Sequence, residues 1–277
     1  MTREEALGWA RARLVGGESP AVDAQVLLMA ATGCSRAQLL AFGEQPLGPE
    51  QEACFRAWVE RRVLGEPVAH ILGEREFFGL AFEVNAHTLI PRPDTETLVE
   101  AALERLPQTP IKALDLGTGS GAIAIALAHH RPAWRWLAVD FVAEAAALAR
   151  RNAERLVPGR VEVRTGSWFE PVAGERFGLI VSNPPYIDPA DPHLDQGDVR
   201  FEPKSALTAA EQGLADLRHI IMDAPNYLEA GGYLMLEHGY DQGRAVRELL
   251  LDRGFQAVET VRDLGQNERI SLGLWPA

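Results

Sequence analysis

Cysteine is scarce in this chain, as are the features that would direct it to a membrane, to a metal or to nucleic acid. The two cysteines, Cys34 and Cys54, stand alone without metal-ligand spacing. Two isolated thiols read as small buried apolar residues, and they fit a reducing cytoplasm better than a disulfide framework. No apolar run approaches the roughly 18 residues of a membrane span, so no membrane association is expected. The start, Met1-Thr2-Arg3-Glu4-Glu5-Ala6, reads as an amphipathic helix without the apolar centre of a signal peptide. Lys/Arg clusters are missing; the densest basic spots, Arg61-Arg62 and Arg150-Arg151, fall on expected helix surfaces. With a net charge of -12, the chain lacks the basic face of a protein that lives on DNA or RNA. Nucleic acid is therefore disfavoured as the main substrate, whereas a basic protein partner would suit an acidic surface. No Ser/His/Asp set and no metal constellation is visible. His129-His130 close a helix, where cationic side chains are ordinary.

What is present is the composition of a soluble globular protein, 47% hydrophobic and 24% charged over 277 residues. That length allows one large or two ordinary domains. Residues 1 to about 65 carry helical periodicity: Val22, Val26, Leu27 and Ala30 recur on one face, as do Phe55, Val59, Arg62 and Val63. Gly16-Gly17-Glu18-Ser19-Pro20 and Gly43-Glu44-Gln45-Pro46 punctuate them, so a bundle of four or five helices is expected. From His70 the pattern changes. Ile71-Leu72, Glu76-Phe77-Phe78 and Phe82-Glu83-Val84 read as a hairpin turning near Gly79, with Phe77, Phe78 and Phe82 as packing residues. Leu89-Ile90-Pro91-Arg92-Pro93 is an extended connector, because each proline pushes its predecessor out of the helical region. The organisation expected is thus a helical domain over 1–68, a hairpin and Pro-rich linker over 69–93, and a catalytic domain over 94–277.

Within that last part helix and strand alternate. Asp94-Thr95-Glu96-Thr97 has capping chemistry for a helix running to about Leu106. Strands are expected at 111–115, 135–140, 161–165, 177–183, 233–238, 257–262 and 269–274. Helices are expected at 121–130, 143–156, 211–229 and 242–253. This alternation argues for an α/β fold, a parallel sheet covered by helices on both faces, with ligand at the carboxyl ends of the strands.

Two turns in this region carry chemistry. Asp115-Leu116-Gly117-Thr118-Gly119-Ser120-Gly121 ends a short apolar strand and opens the apolar helix Ala122-Ile123-Ala124-Ile125-Ala126-Leu127. Glycines let the backbone turn tightly and let a ligand approach, and the helix start offers free N–H groups. Asp140 ends the next strand, where a carboxylate accepts from two ribose hydroxyls. The pattern points to a nucleotide-like cofactor, with NAD and S-adenosylmethionine both open; Asp115, just before the turn, could meet the ammonium of the latter. About sixty residues further on, the apolar run Phe177-Gly178-Leu179-Ile180-Val181 leads into Asn183-Pro184-Pro185-Tyr186. An amide nitrogen is a poor nucleophile because its lone pair is delocalised, so a catalyst must hold its N–H protons and aim the lone pair. Asn183 can accept one N–H with its side-chain oxygen and the Pro184 carbonyl the other. Pro184 and Pro185 make the turn rigid and remove donors, and Tyr186 can lie against a planar group. The pair of turns favours S-adenosylmethionine and methyl transfer to a planar, amide-like nitrogen.

These residues, with Ile90-Pro91-Arg92-Pro93-Asp94-Thr95-Glu96 and Gly197-Asp198-Val199-Arg200-Phe201-Glu202-Pro203, make the chain resemble the release factor glutamine methyltransferases over nearly its whole length. Asn-Pro-Pro-Tyr alone is shared with adenine-N6 and other amide methyltransferases; the connector and the Arg-Phe-Glu-Pro segment discriminate better. The resemblance implies a Rossmann-like class I S-adenosylmethionine-dependent methyltransferase domain with a small N-terminal helical bundle that helps recognise the substrate. It implies N5-methylation of the glutamine in the Gly-Gly-Gln motif of peptide chain release factors, by a monomer in the cytoplasm, with S-adenosylhomocysteine released and no metal. Carried over by residue, Gly117, Thr118, Gly119, Ser120 and Gly121 would hold the cofactor and Asp140 its ribose. Gly166, Ser167, Trp168 and Phe169 would line the adenine, and Asn183 to Tyr186 would hold the glutamine. The family often has an aspartate where Ser167 stands; a serine accepts less strongly from the adenine amine. Arg92 and Glu96 sit where the linker meets the catalytic domain and Arg200 and Glu202 follow the catalytic turn; they order the binding loop, touch the partner, or are solvated or in surface pairs. Glu237, at the end of a strand, reads as structural. A ribosomal-protein glutamine methyltransferase, an adenine-N6 methyltransferase, an NAD-dependent oxidoreductase and a non-catalytic binding module are the competing readings.

Overall fold

A computed structural model describes residues 1–276, and the chain forms two compact units. The first comprises Met1–Glu74 and Pro192–Phe201. Five helices build it: α1 Arg3–Arg13, α2 Pro20–Thr32, α3 Arg36–Ala41, α4 Pro49–Val63 and α5 Val68–Leu72. Their starts are chemically marked. Thr2 and Ser35 cap α1 and α3 in reciprocal bonding with Glu5 and Gln38, and Pro20 and Pro49 open α2 and α4. Ala6, Ala10, Leu27, Leu28, Phe55 and Val59 are fully buried between them. Ile71-Leu72, expected in the hairpin, close α5 instead. Pro67 pre-sets its first turn, Gly73 ends it in the left-handed region, and Ile71 is buried in the bundle core. The segment Pro192–Phe201 packs with these helices: Arg62 lies between Asp23 at 2.7 Å and Asp198 at 2.6 Å. The Arg200 guanidinium lies where a side chain on Gly65 would stand.

The second unit comprises Arg75–Asp191 and the chain from Glu202 onward. A short hairpin, β1 Glu74–Phe77 and β2 Leu80–Glu83, precedes helix α6 Glu96–Arg105. Then follow β3 Lys112–Leu116, α7 Ala122–His130, β4 Arg135–Asp140, α8 Ala143–Leu156, β5 Val161–Thr165 and β6 Phe177–Ser182. The chain ends with α9 Ala215–Asp223, β7 Leu228–Glu237, α10 Gly243–Arg253, β8 Gln256–Arg262 and β9 Glu268–Leu274. One seven-stranded sheet has the order β5-β4-β3-β6-β7-β9-β8. All pairings are parallel except those of β9, which runs antiparallel to β7 and β8. The fully parallel sheet expected from alternation fails at this last strand. Only residues 263–267 join β8 to β9, too few for a crossover, so the two close as a hairpin.

Each face of the sheet has its own core. Ile123, Ile125, Leu127 and Trp134 fill one; Leu116, Ile180, Leu217, Ile220 and Leu234 fill the other. Helix α7 is apolar all round because it is buried all round, with every residue from Ala122 to Ala128 under cover. Helix α9 is shorter than the expected 211–229. Gly213 adopts positive φ before it and Pro225 breaks it into a short 3-10 turn. Strand order reverses between β3 and β6, which opens a crevice beyond their carboxyl ends.

Candidate active site

Both sequence turns emerge at that reversal. The glycine loop leaves β3 and Asn183 leaves β6, and Leu116 and Ser182 are register partners on these neighbouring strands. The Ser182 hydroxyl ties the ends together by donating to the Leu116 carbonyl at 2.7 Å. Residues about sixty apart in the chain thereby face one cavity of ≈ 360 Å³. Gly117, Thr118, Gly119 and Ser120 form one wall; Asp140, Phe141 and Val142 form the next. Gly166, Ser167 and Trp168 line a third side with Asp216, and Asn183 and Pro185 stand with Pro91, Arg92 and Thr95.

The glycine loop holds itself in shape. Gly117, Gly119 and Gly121 all have positive φ. At Gly121, where φ is +86, a Cβ would also stand 2.7 Å from the Ile125 Cδ1, so a side chain here would strain the backbone and push Ile125 aside. Thr118 donates its hydroxyl to Asp115 Oδ2 at 2.6 Å and its N–H to the Val139 carbonyl at 3.0 Å. Asp115 is fully buried behind the loop and does not line the cavity, and neither does Gly121. Burial pushes the Asp115 carboxyl up to about 7, against the pull of Thr118 and the Ala124 N–H.

Asp140 reaches the cavity with structure around each oxygen. Oδ2 accepts from Gly119 N–H at 2.8 Å and Oδ1 from Val142 N–H at 2.9 Å. Each carboxylate oxygen keeps a further lone pair for a ligand. Burial raises its pKa, and the two backbone donors pull it back. Trp168 sits at φ +42, a left-handed conformation unusual for a bulky residue, which turns its ring to the cavity wall. The His219 ring lies 6.2 Å from it.

Asn183 is half-buried, and its Nδ2 donates to Thr95 Oγ1 at 3.2 Å. Pro184 is buried and, like Tyr186, stands outside the cavity lining. The Tyr186 hydroxyl donates to Glu237 Oε1 at 3.1 Å, and its carbonyl accepts from Gln242 Nε2 at 3.0 Å. Desolvation and the Glu237 charge push the Tyr186 phenol well above its usual range. Glu237 is itself fully buried and pushed up to about 7, mainly by burial.

Thr95 and Asn152 support the site although the sequence did not mark them for it, and Glu202 and Glu96, which it did single out, find their partners here. Thr95 was expected only to cap a helix; it makes no cap bond and turns to Asn183 instead. Asn152 is fully buried on α8. It donates to the Glu83 and Ser120 carbonyls at 3.0 and 2.9 Å and accepts from Glu83 N–H at 2.9 Å, joining the hairpin to the glycine loop. Buried Glu202 accepts from Ile90 N–H at 3.0 Å and pairs with Arg92, so it grips the connector beside the cavity. Glu96 accepts from Phe78 N–H at 2.8 Å. The signal available in advance was one buried polar residue on an otherwise alanine-rich face for Asn152, and none for Thr95. Among the described residues no group of His, Cys, Asp and Glu could hold a metal ion, and no helix is long and apolar enough to cross a membrane.

Comparison with known proteins supplies context for this geometry. A family model described as "PrmC N-terminal domain" matches residues 5–73, and one described as "Methyltransferase small domain" matches residues 94–198. Among curated relatives, the release factor glutamine methyltransferase of Yersinia pestis is 54% identical, covering 99% of each chain. That of Pseudomonas aeruginosa is 55% identical over 95% of each, and that of Escherichia coli 53% over 94% of each. Solved structures share the fold at lower identity. A methyltransferase from Pyrococcus furiosus has TM-score 0.55 and 19% identity, covering 79% of this chain and 98% of its own. A ribosomal protein L11 methylase from Lactobacillus delbrueckii has TM-score 0.50 and 21% identity, covering 66% and 80%.

Proposed function

The chain belongs to the release factor glutamine methyltransferases, and from that membership we propose that its cavity carries a methyl group from S-adenosylmethionine to the side-chain amide nitrogen of the glutamine in the Gly-Gly-Gln motif of peptide chain release factors. One observation carries the reading: the glycine loop, Asp140 and Asn183 line a single cavity at the strand-order reversal.

The residues present fit that cofactor. Asp140 has acceptor capacity to spare for ribose hydroxyls, the start of α7 turns N–H groups to the ligand, and Trp168 and Ser167 offer a wall to a planar base. Asp216 lines the same cavity and brings a carboxylate that Ser167 lacks. When bound, S-adenosylmethionine supplies a methyl group on a positively charged sulfur.

The rest falls to the chain. Asn183 Oδ1 and the Pro184 carbonyl accept the two amide N–H bonds of the substrate, which orients the nitrogen lone pair toward the methyl carbon. Those acceptors strengthen their hold as the nitrogen gains positive character, so they favour the transition state over the ground state. Held so, the nitrogen would take the methyl carbon as its bond to sulfur breaks and would give one N–H proton to water, leaving S-adenosylhomocysteine as the product. Pro184 and Pro185 keep the acceptors still, and positioning supplies most of the acceleration. The reading takes one copy of the chain acting in the cytoplasm on a protein, with neither metal nor nucleic acid in the site.

Transfer of labelled methyl to purified release factor, compared with its Gln→Ala variant in the Gly-Gly-Gln motif, tests it. Label on the unaltered factor alone is the expected result. Label on both, or on neither, overturns the assignment and directs the search to ribosomal proteins and then to nucleic acid.

A further inference from the structure

The connector holds more than a linker needs. Arg92 pairs with Glu202, and Asp94 stands 3.3 Å from Arg269, which also grips Asp263 at 3.1 Å. Glu96 holds the hairpin at Phe78. Thr95 faces the catalytic turn from among these anchored neighbours. It lines the cavity, and its Oγ1 lies 3.2 Å from Asn183 Nδ2. At the other end of the turn, Glu237 Oε1 accepts from the Tyr186 hydroxyl at 3.1 Å.

Donor and acceptor chemistry gives this bond its direction. Thr95 Oγ1 accepts through a lone pair, and Asn183 meets it with its NH₂ group. The two ends of an asparagine side chain match in shape and differ in chemistry. With Nδ2 committed to Thr95, Oδ1 is turned to the cavity. In the reverse orientation the Asn183 NH₂ would oppose the NH₂ of an incoming glutamine, donor against donor.

We propose that Thr95 is the positioning residue that fixes the Asn183 amide with its oxygen toward the substrate. The two ends of the catalytic turn are then braced separately, Asn183 by Thr95 and Tyr186 by Glu237. This deepens the reading above and rests on Asn183 accepting a glutamine N–H.

Valine at position 95 keeps the shape and removes the hydroxyl; serine keeps the hydroxyl. Methyl transfer to release factor and cofactor affinity are measured for the whole chain in each form. Thr95→Ser is expected to stay within about 3-fold of the unaltered enzyme in kcat, and Thr95→Val to lose about 10-fold or more, with KM and cofactor affinity within about 3-fold. A second reading needs no turnover. The Asn183 side-chain amide signals of the ¹⁵N-labelled protein, identified by their loss in Asn183→Ala, should move in Thr95→Val and stay in Thr95→Ser. If Thr95→Val does not fold, Thr95→Ala takes its place. Full kcat in the variant without the hydroxyl, a serine variant as impaired as the valine one, or amide signals that stay in place would overturn the proposal. An unaltered enzyme that leaves release factor unmethylated would sink the functional reading instead, and the amide signals would still decide the orientation of Asn183.

Discussion

Replacing Asp140 by alanine should separate what this residue does for the fold from what it does for the cofactor. Its two oxygens accept from Gly119 and Val142 N–H at 2.8 and 2.9 Å, so they join the glycine loop to the start of α8. Alanine leaves both donors unpaired at the cavity edge. At about 1 kcal/mol each the loss is about 2 kcal/mol. For a protein of this size that lowers the melting temperature by about 4–8 °C. Binding loses in addition the charged hydrogen bonds to the ribose, worth about 1.5–3 kcal/mol, or roughly 10- to 150-fold in affinity. Asparagine keeps one acceptor and sets an NH₂ group against the other donor, so Asp140→Asn should fall between alanine and the unaltered protein. Calorimetric titration with S-adenosylmethionine and with S-adenosylhomocysteine, paired with thermal melting, reads both terms. Because the ribose is common to the two ligands, both should weaken by the same factor. An alanine variant that binds within about 3-fold of the unaltered chain would refute the role. So would weakening confined to one ligand.

Other outcomes follow from the same geometry. Alanine at Asn183 should abolish methyl transfer while cofactor affinity measured by titration stays nearly unchanged; retained turnover would remove it from the chemistry. Asn152→Ala cuts four hydrogen bonds of a fully buried side chain, one of them from Arg155, and should cost about 2–4 kcal/mol in denaturant unfolding. A loss under about 1 kcal/mol would mean that the hairpin and glycine loop do not depend on it. Asp115 and Glu237 are both raised to about 7, from ordinary values of 3.8 and 4.5. Between those limits the folded chain holds protons that the unfolded chain has released, so these groups make stability fall as pH rises toward about 7. Glu237→Gln should therefore gain on the unaltered protein between about pH 5 and pH 8 in denaturant midpoint. A difference independent of pH would contradict the burial of that charge.

How far the sequence could be read depended on whether partners are neighbours in the chain. Helix α8 was legible from end to end because Ala145, Leu148, Ala149 and Ala153 repeat along its buried face. The two turns stand out for a similar reason, since each is a contiguous string. Their meeting in one cavity follows from strand order, which alternation suggests only in outline. The last strand reversed direction because a five-residue connection forbids a crossover, and periodicity carries no direction. Ile71-Leu72 fit a strand and a helix end equally well as a short apolar pair; the left-handed Gly73 decides it. Thr95 and Glu237 were harder still. Thr95 meets Asn183 across 88 residues, and Tyr186 meets Glu237 across 51. Locally, a threonine before a helix looks like a cap, and an acid at a strand end shows nothing of the partner it meets. Only tertiary packing buries them and gives their hydrogen bonds a direction.

The central claim is that the nitrogen methylated is a carboxamide, held by the acceptors of Asn183 and Pro184. Acid hydrolysis of release factor methylated with labelled S-adenosylmethionine tests it most directly. An N-methylated side-chain amide yields labelled methylamine, and that product alone is the result expected. Labelled methanol, the mark of a methyl ester, or label that stays on the hydrolysed amino acid would contradict the account.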